Sequence, residues 1–454
     1  MSDADVLSPV RGDYRALADA IAADIASGRL PAGTRLPAQR EFAYQHRIAA
    51  STASRVYAEL TRRGLIAGEV GRGSYVRTGE APASGALGEP VQAPVDLQLN
   101  FPILPGQDAE LAQVLSRLMR SGALASAFRP TSAAATREAR GITADFLARA
   151  GWRPDPAGLV FTANGRQAIA AAFAALAPPG ERIAVEALTY PAVKWIAARL
   201  GITLVPLPLD VHGLRPDALL KAHRAAPLRG VYLQPQLHNP LGLSMDARRR
   251  AEIAAVLKGE ELMAVEDVIY GFLAEEEPLA ALAPAHTLLV DSLSKRVAPG
   301  LTIGLVAGPA AWAERMVAAV RAGAWAATGL PLAAALQIMT DGIAGRLTTA
   351  KQADARERQA ILREVFDGAM LKTDPRSYHA WLELPDSWRA DAFAAAAARR
   401  GIAITPASAF CVAPSHAPNA VRLALSPPSH AVLKEALLTL HRLIAAGPME
   451  SEVE

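Results

Sequence analysis

Residues 291–300 read DSLSKRVAPG, a single lysine between two serines and an arginine at the end of an apolar run. Alone, Lys295 is the surface charge that any strand end can carry, so its surroundings decide its meaning. Seven short runs rich in β-branched and other apolar residues lie between Gly158 and Pro309: GLVFTA, RIAVEAL, ITLVPLPL, GVYLQP, LMAVEDVIY, TLLVDSL and TIGLVAGP. Alanine-rich helical stretches such as RQAIAAAFAAL separate several of them. Strand alternating with helix at this pitch predicts an α/β unit built on a mostly parallel sheet covered on both faces. Function in such sheets gathers at the carboxyl ends of the strands, and Lys295 directly follows the run TLLVDSL.

At 454 residues the chain exceeds what one hydrophobic core organises, which predicts two or three domains. Half of it is apolar and a fifth is charged, the balance of a soluble globular protein, and a net charge of +3 names no partner for the whole molecule. The single cysteine, Cys411, excludes an internal disulfide and fits a reducing compartment. The start, MSDADVLSPVRGDY, carries acidic residues and no apolar core of a signal peptide, so a cytoplasmic protein is expected. The uncharged window from Ala322 to Thr340 reads as buried helix broken at Gly-Leu-Pro rather than as a membrane span.

Residues 79–94, GEAPASGALGEPVQAP, mark a linker by their Gly, Ala and Pro content. The expected units are residues 1–78, the linker 79–94, and residues 95–454, the last with a large subdomain at about 130–325 and a small one at about 340–448. In the first block YRALADAIAADIASG is amphipathic and closes at Gly28, REFAYQHR is a short helix, and STASRVYAELTRRG is another, with Ser51 or its neighbour as N-cap and Gly64 as its stop. LIAGEVGRGSYV then reads as two strands joined by a Gly-Arg-Gly turn, completing the outline of a winged helix-turn-helix. Between Ser27 and Arg77 nine arginines face three glutamates, a balance of +6. Arginine engages phosphates and guanine edges with a planar fork, so double-stranded DNA is the expected partner; a small docking domain with a solvated basic face is the plainer alternative.

The stretches GRLPAGTRLPAQREFA, VYAELTRRGLI and GRGSYV, in that order, resemble the DNA-binding domain of the GntR family. The resemblance implies that Arg35 and Arg40 hold backbone phosphates, that Thr52 and Arg55 lie at the recognition helix in the major groove, and that Arg72 enters the minor groove. Where the family usually has Ser-Arg before its threonine region, this chain has Ala49 and Ala50.

A lysine can form a Schiff base with an aldehyde cofactor. Pyridoxal 5'-phosphate further needs an acid for its ring nitrogen, donors for its phosphate and a flat face to stack on. Asp267, ending the apolar run LMAVED, supplies a buried carboxylate. Thr162 to Gln167 join a strand to a helix and present an amino terminus to an anion, and Tyr190 follows another strand. Singly, each is ordinary: an aspartate caps helices, such turns are common, and most tyrosines only pack.

In sequence order TANGRQA, LTYPA, QPQLHNPLG, VEDVIYG, SLSKRVAPGL and NAVRLALS resemble the fold-type I, aminotransferase-like enzymes over about residues 96–445. The resemblance implies pyridoxal phosphate as cofactor and Lys295 as carrier of the internal aldimine. It gives Asp267 to the pyridine nitrogen, Asn239 and Tyr270 to the ring hydroxyl, and Tyr190 to the ring face. Gly165, Arg166, Ser292 and Ser294 are implied at the phosphate, Arg422 at an α-carboxylate, and no metal. Relatives carry a phosphate-gripping arginine seven positions after the lysine, where this chain has Thr302. Arg296 and Arg166 are its candidate substitutes, since a dianion needs a cation.

A GntR-type winged helix linked to an aminotransferase-like domain is similar to the MocR family of regulators. The resemblance implies a homodimeric, PLP-dependent DNA-binding transcriptional regulator that senses a small amine, an amino acid or a B6 vitamer through exchange at Lys295. The alternatives are an active aminotransferase with a DNA-binding appendage and a repressor whose larger domain only dimerises.

Overall fold

The computed structural model describes residues 14–26, 29–31, 34–62, 65–69, 73–76, 93–120, 125, 127–274, 276–413 and 417–450. Two compact units emerge, one of residues 1–86 with 407–418, the other of residues 87–406 and 419–454.

In the first unit three helices, Tyr14–Ala26, Gln39–Gln45 and Ala50–Arg62, precede an antiparallel strand pair, Ile66–Glu69 with Gly73–Val76. The apolar stripe of the third helix explains the packing: Ala53, Val56, Tyr57 and Leu60 face Phe42, Ala18 and Ile21 in one small core. Tyr57 also donates its hydroxyl to the Pro37 carbonyl at 2.5 Å, tying helix to loop. The third helix begins at Ala50, so Ser51 lies inside its first turn and does not cap it. The closing glycines Gly28 and Gly64, Gly71 and Arg72 of the Gly-Arg-Gly turn and most of the linker lie outside the described residues.

The second unit is built on a seven-stranded sheet in the order 159–162, 304–307, 287–292, 263–267, 230–233, 182–186, 203–207. These are the seven runs of the sequence. Gly304–Ala307 pairs antiparallel with both neighbours, and the remaining pairings are parallel. Every residue of Val160–Thr162, Gly230–Leu233, Met263–Asp267 and Thr287–Ser292 is buried, as expected for a sheet covered on both faces. Gly158 is demanded by close approach: a Cβ there would stand 1.8 Å from the Gly308 carbonyl oxygen.

A second, four-stranded antiparallel sheet in the order 371–372, 379–383, 420–424, 405–406 carries the later part of this unit. Helices Ile343–Val365, Ala390–Arg399 and His430–Glu450 accompany it, with Trp388, Phe393, Leu423 and Leu437 in the shared core. Val95–Asp96 pairs in parallel with Ile402–Ala403, which brings the start of the unit to the edge of its last part. The Gly-Leu-Pro of the uncharged window opens the helix Gly329–Thr340, and among the described residues no helix is long and apolar enough to cross a membrane.

Trp388 is buried and meets Phe393 edge-on at 5.2 Å, so Trp388→Ala removes the largest filler of this core. The variant is expected to lose about 3–5 kcal/mol of stability in this unit, read as a lower urea midpoint for its transition. An unchanged midpoint would show that the core collapses around the gap.

Candidate functional site

Lys295 sits one turn beyond the carboxyl end of Thr287–Ser292, on the short helix Leu293–Arg296, whose start is capped by Ser292 Oγ accepting from the Ser294 amide at 3.3 Å. Helix Ile343–Val365 secures this turn from below. Its fully buried Lys351 donates from Nζ to the carbonyls of Lys295 at 3.0 Å and Val297 at 2.8 Å, and Gln107 donates to the same Val297 carbonyl at 2.8 Å. Burial, opposed by Asp354, pushes Lys351 down to about 7. The half-buried Lys295 ammonium donates to the Asn100 carbonyl at 2.5 Å and rests 3.3 Å from the centroid of the Phe101 ring. Burial first, then the positive charges of Arg422 and Arg166, hold its pKa well below the lysine range, with Asp267 opposing.

Asp267 ends the neighbouring strand. Its carboxylate accepts from Tyr232 Oη at 2.6 Å, Gln234 Nε2 at 3.1 Å and the Ile269 amide at 3.0 Å. Burial outweighs these bonds and raises Asp267 to about 6. Gln234 also accepts from the Asn239 amide at 3.2 Å, so one side chain sets both residues. Asn239 Oδ1 is buried without a hydrogen-bond partner among the described residues, the state of a group shaped for a ligand. Burial lifts the Tyr270 phenol to about 12, and its oxygen accepts from Asn100 Nδ2 at 2.9 Å.

The candidate anion cup lies where helix Gly165–Leu176 meets the Lys295 turn. Asn164 Oδ1 caps that helix by accepting from the Gln167 amide at 3.1 Å, leaving the first amides to face outward. Gly165 is needed here, since a Cβ would press on Ser292 Oγ at 3.2 Å, and Ser292 and Ser294 hydroxyls lie 2.8 Å apart. These features fit a phosphate. Arg166 donates to Tyr190 Oη at 3.2 Å, joining the cup to the expected ring-stacking tyrosine. Arg296 is engaged elsewhere: buried, it pairs with Asp291 at 3.2 Å and lies over the Phe146 ring at 4.4 Å. Of the two candidate cations for the place of Thr302, Arg166 is the one whose charge reaches Lys295. Thr302 itself donates to the Ile303 carbonyl at 3.3 Å.

Arg422, on strand Ala420–Ala424, is buried and donates to the Gln98 carbonyl and to Thr405 Oγ1 at 3.3 Å. Burial lowers its pKa. Residues 98 and 100 of one segment touch Arg422 and Lys295, and the Arg422 charge reaches Lys295. In the first unit Arg35 and Arg40 are exposed, Thr52 is half-buried, and the exposed Arg55 guanidinium lies 5.7 Å from the Tyr14 ring centroid. Arg72 falls outside the described residues.

Sequence reasoning missed Asn100, Tyr232, Gln234 and Lys351. Gln234 stood inside the quoted QPQLHNPLG, and the GVYL run preceding it gave Tyr232 only as a strand residue. Asn100 and Lys351 reach Lys295 across 195 and 56 positions, where no local pattern signals them.

Two family models match. Residues 95–440 fit "Aminotransferase class I and II" and residues 13–76 fit "Bacterial regulatory proteins, gntR family". Among curated proteins, the uncharacterized HTH-type transcriptional regulator YdeF of Bacillus subtilis is 30% identical over 95% of this chain and 94% of its own length. The vitamin B6 salvage pathway transcriptional repressor PtsJ of Salmonella typhimurium is 26% identical over 94% and 97%. Among solved structures, an archaeal alanine:glyoxylate aminotransferase superposes with a TM-score of 0.72 at 21% identity, over 80% of this chain and 93% of that one. At that identity the likeness establishes the fold.

The raised pKa of Asp267 sets a sign. Its folded value of about 6 exceeds the ordinary aspartate value near 4, so its contribution to stability is fully present below about pH 4 and is lost as pH rises through about 6. Asp267→Asn, compared with wild type after dialysis free of small molecules, is expected to become the relatively more stable protein between pH 5 and 7, by of order 2 kcal/mol. Thermal unfolding at stepped pH checks this, and a stability difference constant across that range would contradict it.

Proposed function

This chain belongs to the MocR-type transcriptional regulators, in which a GntR winged helix-turn-helix is joined to an aminotransferase class I and II domain, and on that footing we propose that it reads an amine through pyridoxal 5'-phosphate held at Lys295. The observation that carries this reading is a cluster of three neighbouring groups: a lysine whose pKa is held down, a buried carboxylate beside it, and the guanidinium of Arg422. Bound there, pyridoxal phosphate supplies an aldehyde that joins primary amines reversibly.

The chain's own residues would prepare that exchange. Burial and the Arg422 and Arg166 charges favour the free amine of Lys295, the nucleophilic form, over the ammonium. Asp267 would hold a proton at the ring nitrogen, with Tyr232 and Gln234 fixing its oxygens. Asn239 and Tyr270 would meet the ring hydroxyl, and Tyr190 would cover the ring face. Gly165, Ser292, Ser294 and Arg166 would bind the phosphate. Arg422 would orient an amino acid by its carboxylate. The vitamin B6 role in the name of one relative supports a B6 vitamer as a further effector class.

Regulation needs an effector that binds two arrangements of the protein unequally. We assign the protein to a homodimer on double-stranded DNA, because one small winged helix has too little contact area for tight specific binding. Arg35, Arg40, Thr52, Arg55 and Arg72 are the proposed DNA contacts.

Lys295→Ala is expected to abolish borohydride-fixed attachment of pyridoxal phosphate while leaving the fold and basal DNA affinity intact. A borohydride-stable adduct in this variant, located by peptide mass, would overturn the assignment. Arg422→Ala is expected to keep attachment but weaken the response to an amino acid by about 2 kcal/mol, about thirtyfold, with a carboxylate-free amine affected much less. An unchanged amino acid midpoint would move the carboxylate site elsewhere.

A further inference from the structure

We infer that Asn100 is a positioning residue of the cofactor site, one that turns the Tyr270 phenol so that its proton points into the cleft; the inference rests on the pyridoxal phosphate reading above. Asn100 is buried, at 2% exposure, and its side-chain amide and backbone carbonyl are all engaged. Nδ2 donates to Tyr270 Oη at 2.9 Å and lies 3.4 Å from His379 Nδ1. Oδ1 accepts from Ser426 Oγ at 2.9 Å, and the backbone carbonyl accepts from Lys295.

Which way the amide faces decides the chemistry, and a chain of obligate donors and acceptors fixes it. His379 Nε2 lies 2.9 Å from the His238 carbonyl, which can only accept, so Nε2 carries the ring proton. Burial drives His379 down to about 3, so the ring is neutral and Nδ1 is an acceptor. The Ser377 hydroxyl accepts from the His379 amide at 3.0 Å and gives its own proton to Nδ1, 3.1 Å away. An Asn100 oxygen placed toward Nδ1 would set two acceptors against each other, so the NH₂ edge must face it. The same edge meets Tyr270.

The phenol oxygen therefore accepts from Asn100, and the phenol proton is left over. Among the described residues Tyr270 donates to no protein group, so the proton is available to a ring oxygen in the cleft. With the amide reversed, Oδ1 would consume it. Accepting a bond also polarises the phenol and strengthens it as a donor. A donor to the cofactor's ring oxygen favours the anionic form of that oxygen, and so lowers the pH at which the visible band of the bound cofactor converts.

The experiment is a pH titration of that band in the full-length protein loaded with pyridoxal phosphate. Tyr270→Phe should raise the midpoint, and Asn100→Ala should raise it by about half a pH unit, a smaller change in the same direction. In the Tyr270→Phe background Asn100→Ala should add nothing, an outcome that a general loosening of the fold would not give. Should Asn100→Ala fail to fold, the isosteric Asn100→Asp carries the test: its carboxylate takes the phenol proton and adds negative charge beside Lys295, so the midpoint rises further, and the rise shrinks in the Tyr270→Phe background. An unmoved midpoint, or a shift that persists undiminished without the Tyr270 hydroxyl, overturns the role of Asn100 alone. Wild-type protein that gives no visible band with pyridoxal phosphate overturns the cofactor reading and this inference with it.

Discussion

An ammonium and a carboxylate withdrawn from water at the ends of two adjacent parallel strands are the constraint around which the second unit is arranged. Each such group carries a desolvation penalty of several kcal/mol. The opposed displacements record it: burial pushes Lys295 down and Asp267 up. Around Asp267 the cost is offset by Tyr232, Gln234 and the Ile269 amide. Around Lys295 it is offset by a carbonyl and an aromatic face from residues 100 and 101. The strand ends supply the address, and distant segments make it habitable.

Those distant segments explain what the sequence could and could not disclose. The seven strands were legible because buried sheet strands are continuous apolar runs, and Lys295, Asp267, Asn239 and Tyr270 stood out as candidates because each sits within a few residues of such a run. Asn100 and Lys351 were not, since their bonds to the Lys295 turn depend on how the chain returns. Arg296 turns away from Lys295 for a local reason. Successive residues on a helical turn point about 100° apart, so the neighbour of a cleft lysine faces away from the cleft, toward Asp291 and Phe146. Arg166, remote in sequence, is with Arg422 one of the two arginines whose charge reaches Lys295.

The segment 98–101 gathers the two cations of the cleft. Gln98 and Asn100 offer backbone carbonyls to Arg422 and Lys295, and Asn100 adds its amide to Tyr270. Strand Val95–Asp96 immediately before it pairs with Ile402–Ala403, and the chain continues from there into Thr405–Pro406, which pairs with the strand that bears Arg422. Groups from both sheets of the unit thus meet through one short stretch of chain. A ligand with an amine and a carboxylate would address both at once, which suits a site that reports occupancy.

The central claim is that an amine read at Lys295 changes how the protein holds DNA. Footprinting the pyridoxal phosphate-loaded dimer on its operator, with and without a responsive amino acid, tests it directly when wild type and Lys295→Ala are run side by side. The account predicts that the amino acid alters the protected pattern or its midpoint for wild type and leaves Lys295→Ala unaffected. An identical response in the two proteins would contradict it.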